Sequence, residues 1–285
     1  MSVNYTRRLA TAAAVFLSLL ALASTAAADP VIFAASGSNP AGIQTTVDAF
    51  RAQLGALNPN VAGSFGSGRR EINWDGVPDA LSAPNNLPAN FFNVTSPRGA
   101  VFSTPGTGFQ VSATAAVGNI EFDNINPGYS AQFQTFSAQR LFTAIGSNVL
   151  DVTFFIPGSN TAATVSGFGS VFTDVDLANL TSIQFFDQNN VSLGTFFAPT
   201  SNNGLSFLGV FFNAGERISR VRITNGNLTI GPGVNENGMT TDVVVMDDFI
   251  YGEPTVIPEP ATIVLLGTGL AGIAAGLRRR RGVGK

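Results

Sequence analysis

Ser166-Gly167-Phe168-Gly169-Ser170-Val171-Phe172-Thr173-Asp174-Val175-Asp176 is the stretch whose reading decides the fold class. Within it, Phe168–Val175 reads as a strand, because aromatic and β-branched residues dominate the run. Toward the N-terminus, further strands are expected at Ala100–Ser103, Gly108–Ala113, Gln132–Ser137, Arg140–Thr143 and Val149–Ile156. Toward the C-terminus they are expected at Ser182–Phe186, Ser192–Phe197, Ser206–Phe212, Ile218–Thr224 and Val243–Tyr251. Gly, Pro, Asn and Asp clusters separate these runs at intervals of roughly ten residues, the spacing of a sandwich or jelly roll. Asp187-Gln188-Asn189-Asn190 reads as a hairpin turn between two Phe-bearing strands. No fixed-period repeat is visible, which argues against a solenoid.

Phe-Phe pairs recur at 91–92, 154–155, 185–186, 196–197 and 211–212. Neighbours on a strand point to opposite faces, so one Phe of each pair can enter a sandwich core. The other must meet a helix, a loop, a second layer or solvent. One amphipathic helix is expected, Pro40 to Leu54. Ser38 or Asn39 can cap it, Pro40 suits the first position, and Gly55 can end it. Ile43, Val47, Phe50, Leu54 and Leu57 make one apolar stripe along it.

Composition narrows the function. The 285 residues contain no Cys and no His, 24 Phe, 1 Trp and 3 Tyr. That excludes zinc fingers, haem and iron–sulfur sites, thiol nucleophiles and a Ser–His–Asp triad. The formal charge of −3 conceals an uneven distribution. Seven of the 15 basic residues lie at the two ends, including the only Lys, Lys285. Residues 29–257 keep 8 Arg against 17 of the 18 acids, a formal −9. With no lysine and no basic stripe, nucleic acid is not expected as a partner.

The ends read as addresses. Residues 1–28 have the order of a secretory signal peptide: Arg7 and Arg8, an apolar run from Leu9 to Leu22, and Ala26-Ala27-Ala28 before Asp29. At the other end, Pro258-Glu259-Pro260 precedes an apolar stretch, Ala261 to Leu277, and then Arg278, Arg279, Arg280 and Arg281. Seventeen helical residues span about 25 Å, the short limit for crossing a membrane. The arginine block should stay cytoplasmic, placing the bulk of the chain outside. This tail resembles the PEP-CTERM sorting signal of Gram-negative bacteria. The resemblance implies recognition by an exosortase, transient anchoring in the inner membrane, removal of the tail, and delivery to the cell surface or extracellular matrix. The expected division is 1–28 signal peptide, 29–254 exported domain and 255–285 sorting tail.

A second resemblance runs from Ser166 to Gly252. Its pieces are the stretch quoted first, Phe207-Leu208-Gly209-Val210, Gly215-Glu216-Arg217-Ile218, and Val245-Met246-Asp247-Asp248-Phe249-Ile250-Tyr251-Gly252. These look like the lectin-like and carbohydrate-binding-module-like β-sandwiches of exported bacterial proteins. The expected fold class is therefore mainly β: an antiparallel, jelly-roll-like sandwich with one short N-terminal helix, a signal helix and a C-terminal transmembrane helix.

Carboxylate and carbonyl oxygens are hard ligands, so calcium is the expected cofactor. One candidate loop is Glu71, Asn73, Asp75, Gly76 and Asp79, whose spacing matches the first part of an EF-hand-type loop; position 12 is Ser82, so the bidentate Glu is absent. The alternative for this stretch is a strand ending in a Gly-Val-Pro turn. The other candidate unites Asp174 and Asp176, on one strand face, with Asp247 and Asp248, on opposite faces of the last strand. The alternative is solvated strand-end carboxylates. Trp74 is the candidate sugar contact, by ring stacking, against a place in the core. A Ser or Thr nucleophile lacks a His or internal Lys as base, so an enzyme is not expected. The expected function is an exported, structural or adhesive surface or matrix protein stabilised by calcium. The alternatives are a carbohydrate-binding module retaining exopolysaccharide and, lastly, a glycoside hydrolase.

Overall fold

Pro40 fixes the first turn of helix α1, Pro40–Leu54, and Gly55 ends it with φ 98°. Ile43, Val47, Phe50 and Leu54 are its buried stripe, as the spacing predicts. Leu57, beyond the glycine, falls out of phase and is exposed. The computed structural model describes residues 29–257 except Asn119, together with Gly269. The expected signal helix and C-terminal helix lie outside the described residues.

The strands are β1 Val31–Gly37, β2 Arg69–Ile72, β3 Ala100–Ser103, β4 Gly108–Val111, β5 Phe142–Ile145, β6 Val149–Phe154 and β7 Ala163–Thr164. They continue as β8 Gly167–Val175, β9 Ser182–Phe186, β10 Ser192–Phe197, β11 Ser201–Phe211, β12 Arg220–Thr224, β13 Val245–Gly252 and β14 Thr255–Val256. A seven-stranded sheet runs β1-β11-β8-β13-β5-β4, with β2 also on β13; a five-stranded sheet runs β10-β9-β12-β6-β3. All pairings between named strands are antiparallel. The expected mainly-β, antiparallel sandwich is what forms.

Alternation sorts the side chains. Phe168 and Phe172 of β8, Leu208 and Val210 of β11, and Met246, Phe249 and Tyr251 of β13 enter the core between the sheets. They meet Leu150, Val152 and Phe154 of β6 and Ile183 and Phe185 of β9 there. Val171, Leu205, Phe207 and Ile250 face the other way, under α1. So β8 is buried along its whole length. Gly169 and Gly209 pair across β8 and β11 beneath the Phe50 ring, where an added Cβ would lie 3.0 Å from that ring.

The Phe pairs divide as expected in several places. Phe212 enters the inner core, while Phe211 packs toward α1. Phe197 stays exposed. The expected strand Gln132–Ser137 does not form. This segment crosses the outer face of the large sheet; Gln132 and Phe133 N–H donate to Tyr129 O, and three further N–H groups find side-chain acceptors instead of a strand partner. Gln134 N–H donates to Thr173 Oγ1 (3.0 Å), and Phe136 and Ser137 N–H donate to Asp247 Oδ2 (2.6 and 3.1 Å). Strand β5 starts two residues later than expected, and β1 and β2 add strands before Ala100.

Candidate metal centre

Two local irregularities place the acidic side chains. The first is at the end of β8. Asp174 adopts a left-handed backbone, φ 67°, which Asp tolerates better than most residues. The turn breaks alternation: Val175 joins the inner core, and Asp174 does not. Opposite it, the register of β11 slips between Ser201 and Leu205, and Asn203 N–H donates to Asp174 Oδ1 at 2.6 Å.

Asp174 is 1% exposed, yet its Oδ2 has no hydrogen-bond partner; Asp176 Oδ1 is likewise buried and unpartnered. Glu236 arrives from the segment between β12 and β13. One carboxylate oxygen from each of Asp174, Asp176 and Glu236 lies within 4.8 Å of the others. Ligands on opposite sides of a calcium ion are also about 4.8 Å apart, twice a bond of about 2.4 Å. Burial and the charges of Asp174 and Asp176 push the Glu236 carboxyl up to about 9. Burial and the charge of Asp174 also raise Asp176. Asp242 braces the group: its carboxylate accepts Asp176 and Leu177 N–H, and burial pushes it up to about 6.

None of these four acids has an arginine within ion-pair distance among the described residues. Three converging hard-oxygen donors with orphaned buried oxygens fit a calcium-class cation; the absence of imidazole and thiolate donors disfavours softer metals. Asp174, Asp176 and Glu236 would hold it.

The second irregularity corrects the expected meeting of Asp174 and Asp176 with Asp247 and Asp248. Met246 pairs with Phe172 and Phe249 with Ser170, so Asp247 and Asp248 together oppose Val171 in a β-bulge. The bulge turns both carboxylates to one face, not the opposite faces that strict alternation gives. They meet Ser137: its Oγ lies 3.3 Å from Asp247 Oδ1 and 2.6 Å from Asp248 Oδ1. Arg51 Nη2 reaches Asp248 Oδ2 at 3.3 Å. Burial and the neighbouring Asp248 push Asp247 well above the usual carboxylate range.

The 71–79 residues are drawn to separate partners. Glu71 is on β2 and binds Arg51 and Arg69 (3.0 and 2.6 Å). Asp75 Oδ1 accepts Gln139 and Arg140 N–H (2.6 and 3.2 Å), and Asn73 Nδ2 donates to Asp75 Oδ2. Asp79 pairs with Arg140 at 2.5 Å. The strand-and-turn alternative describes this stretch. Trp74 lies in the core at 1% exposure, stacked on Phe142 with centroids 3.9 Å apart, and its indole N–H donates to Asp247 O. No face of the ring is free for a sugar. Beside β2, a cavity of about 420 Å³ is lined by residues including Arg51, Asn58, Asn60, Glu71, Arg98 and Asp248.

Sequence reasoning missed Glu236 and Asp242. The run Asn235-Glu236-Asn237-Gly238 followed by Asp242 carried the signal: oxygen donors around a turn glycine, φ 61°.

Neither the comparison with curated proteins nor that with solved structures found a match. No helix among the described residues is long and apolar enough to cross a membrane. Pro258-Glu259-Pro260, the apolar run and the arginine block fall within residues 256–281, which match the PEP-CTERM protein-sorting motif. The chain therefore carries the PEP-CTERM sorting motif of an exported, cell-envelope-targeted protein.

Proposed function

We propose that the exported sandwich is a non-enzymatic, structural or adhesive component of the cell surface or extracellular matrix, stabilised by calcium at Asp174, Asp176 and Glu236. The observation that carries this reading is the Asp174 carboxylate: almost fully buried, with an orphaned oxygen inside an acidic group that no arginine among the described residues neutralises. A divalent cation satisfies the orphaned oxygens and removes the mutual repulsion. Domain charge supports the same role. A formal −9 with no lysine makes contact with anionic matrix polymers depend on a cation bridge. The test is calorimetric titration of the exported domain with Ca²⁺, paired with thermal melts in EDTA and in Ca²⁺. Binding near the range of extracellular modules, about 10⁻⁴–10⁻³ M, with a raised Tm is expected. Identical melts and no binding heat up to several times that range would overturn it.

A second reading keeps exopolysaccharide as a ligand. The cavity beside β2 favours it, because amide and guanidinium groups of Asn58, Asn60, Asn73 and Arg98 line one concave surface. A glycan array run with and without EDTA separates the two readings: glycan capture that persists in EDTA belongs to the cavity.

A further inference from the structure

The sorting match begins at Val256, and Val256 is already part of the fold. After β13, Glu253 N–H donates to Gly68 O (2.8 Å), and the Glu253 carboxylate makes a buried ion pair with Arg70 (2.6 Å). Thr255 and Val256 then pair with Thr164 and Ala163 as the two-stranded ladder β14–β7. Arg217 fastens this ladder. Its Nη2 donates to Thr164 O (2.7 Å) and to Thr255 Oγ1 (2.5 Å), and its Nε donates to Thr164 Oγ1 (3.2 Å). No carboxylate lies within ion-pair distance of this half-buried guanidinium among the described residues.

Two residues carry the sequence from Val256 to Pro258, a chain reach of at most about 7 Å. An enzyme that grips a peptide in extended form binds main-chain groups on both sides of the residues it reads. On the N-terminal side those groups belong to Thr255 and Val256, whose main chain is engaged by β7. We infer that the β7–β14 ladder, fastened by Arg217, is a catch on the sorting segment: β14 must leave β7 before the Pro-Glu-Pro segment can be gripped and the tail removed. A two-residue ladder is short enough to open without unfolding the sandwich, because local opening costs far less than global unfolding. The partner this surface serves is the membrane-embedded processing enzyme, and the inference rests on the sorting reading.

The chain has no cysteine, so a double variant A163C/V256C can form only one intramolecular disulfide, across the ladder. The full chain is co-expressed with an exosortase, and tail removal is followed by pulse-chase. The oxidised double variant is expected to lose its tail at least about tenfold more slowly than wild type, with the rate recovered on adding a permeant dithiol, since only local opening is blocked. Arg217→Ala is expected to speed tail removal about fivefold, the factor that one net hydrogen bond gives. Equal thermal melts of the purified domains show that both variants fold. Thr255→Ala, which removes the same cross-ladder bond from the β14 side, serves if Arg217→Ala does not fold, and a comparable acceleration is expected of it. Wild-type rates in the locked variant would overturn the catch while leaving the sorting reading intact. A wild-type chain that keeps its tail would remove the sorting reading and the catch with it.

Discussion

Beside β2, Glu71 and Asp248 share Arg51, and Glu71 also holds Arg69. At the end of β8, Asp174, Asp176, Glu236 and Asp242 gather with no guanidinium among them from the described residues. Both groups lie on the large sheet, and both include side chains that are almost fully buried. The difference is in the source of the counter-charge. The first group carries its own cations on neighbouring elements, so its cost of burial is offset within the fold. The second lacks them, and proton uptake or an outside cation must do the same work. A carboxylate cluster is thus informative when it is uncompensated, more than when it is merely acidic.

The largest effect should come from the self-compensated side. Glu253→Gln leaves the Arg70 guanidinium buried without its carboxylate, both partners being 1% exposed at the side chain. Breaking such a pair costs about 3–5 kcal/mol. Chemical denaturation should show this loss equally in EDTA and in Ca²⁺; a calcium-dependent loss would blur the distinction between the two groups.

Asp174→Asn comes next. The amide keeps an oxygen to accept the Asn203 N–H but removes the charge. In EDTA the variant should match or exceed wild-type stability, while in Ca²⁺ it should lack the increment that binding gives, about 2.7 kcal/mol at a hundredfold excess over Kd. An unchanged increment would put the cation elsewhere.

A further effect is expected from pH. The Glu236 carboxyl is raised from 4.5 to about 9 and that of Asp242 from 3.8 to about 6. A raised carboxyl favours the protonated folded state. Its contribution is complete below the unfolded value and fades as pH rises through the folded one. Metal-free protein should therefore lose stability between about pH 4 and 9, and Ca²⁺ should flatten that slope, as should Glu236→Gln. Melts across this range check the sign; a metal-free stability that climbs with pH would break the account of the cluster. Smallest of all is Arg222→Ala, which removes a partly exposed pair with Asp151 at 2.8 Å and should cost about 0.2–1 kcal/mol, less in high salt.

Much of the architecture was legible in the sequence, because it rests on local rules. Pro40, the stripe from Ile43 to Leu54 and Gly55 define α1 at the residues where it forms. Phe168–Thr173 and its neighbours obey the period of two. The failures have one physical origin: tertiary contacts that override the period. The segment Gln132–Ser137 has a strand's composition, but it spends its N–H groups on Tyr129 O, Thr173 and Asp247. Asp247 and Asp248 alternate in the sequence, but the bulge opposite Val171 sets them side by side. Trp74 sits among acids in the sequence and among Phe92, Phe142 and Phe249 in the fold. Two of the three candidate ligands were legible, Asp174 and Asp176. Glu236 was not, because 60 residues separate it from Asp176 and only the long β12–β13 connection closes that gap.

The paired glycines Gly169 and Gly209 beneath Phe50 carry a consequence for how the helix finds its place. Elsewhere on this sheet a side chain can shift to accommodate a neighbour. Here the ring rests on bare main chain, which cannot shift. The position of α1 is therefore encoded as an absence, a dent in the sheet one aromatic ring wide. Shrinking the ring would leave a void that no glycine can fill. Filling the dent with a methyl group would push the ring, and the helix with it, off its seat. The two errors are complementary, so Phe50→Leu combined with Gly209→Ala should do less harm than the two changes would if their costs simply added.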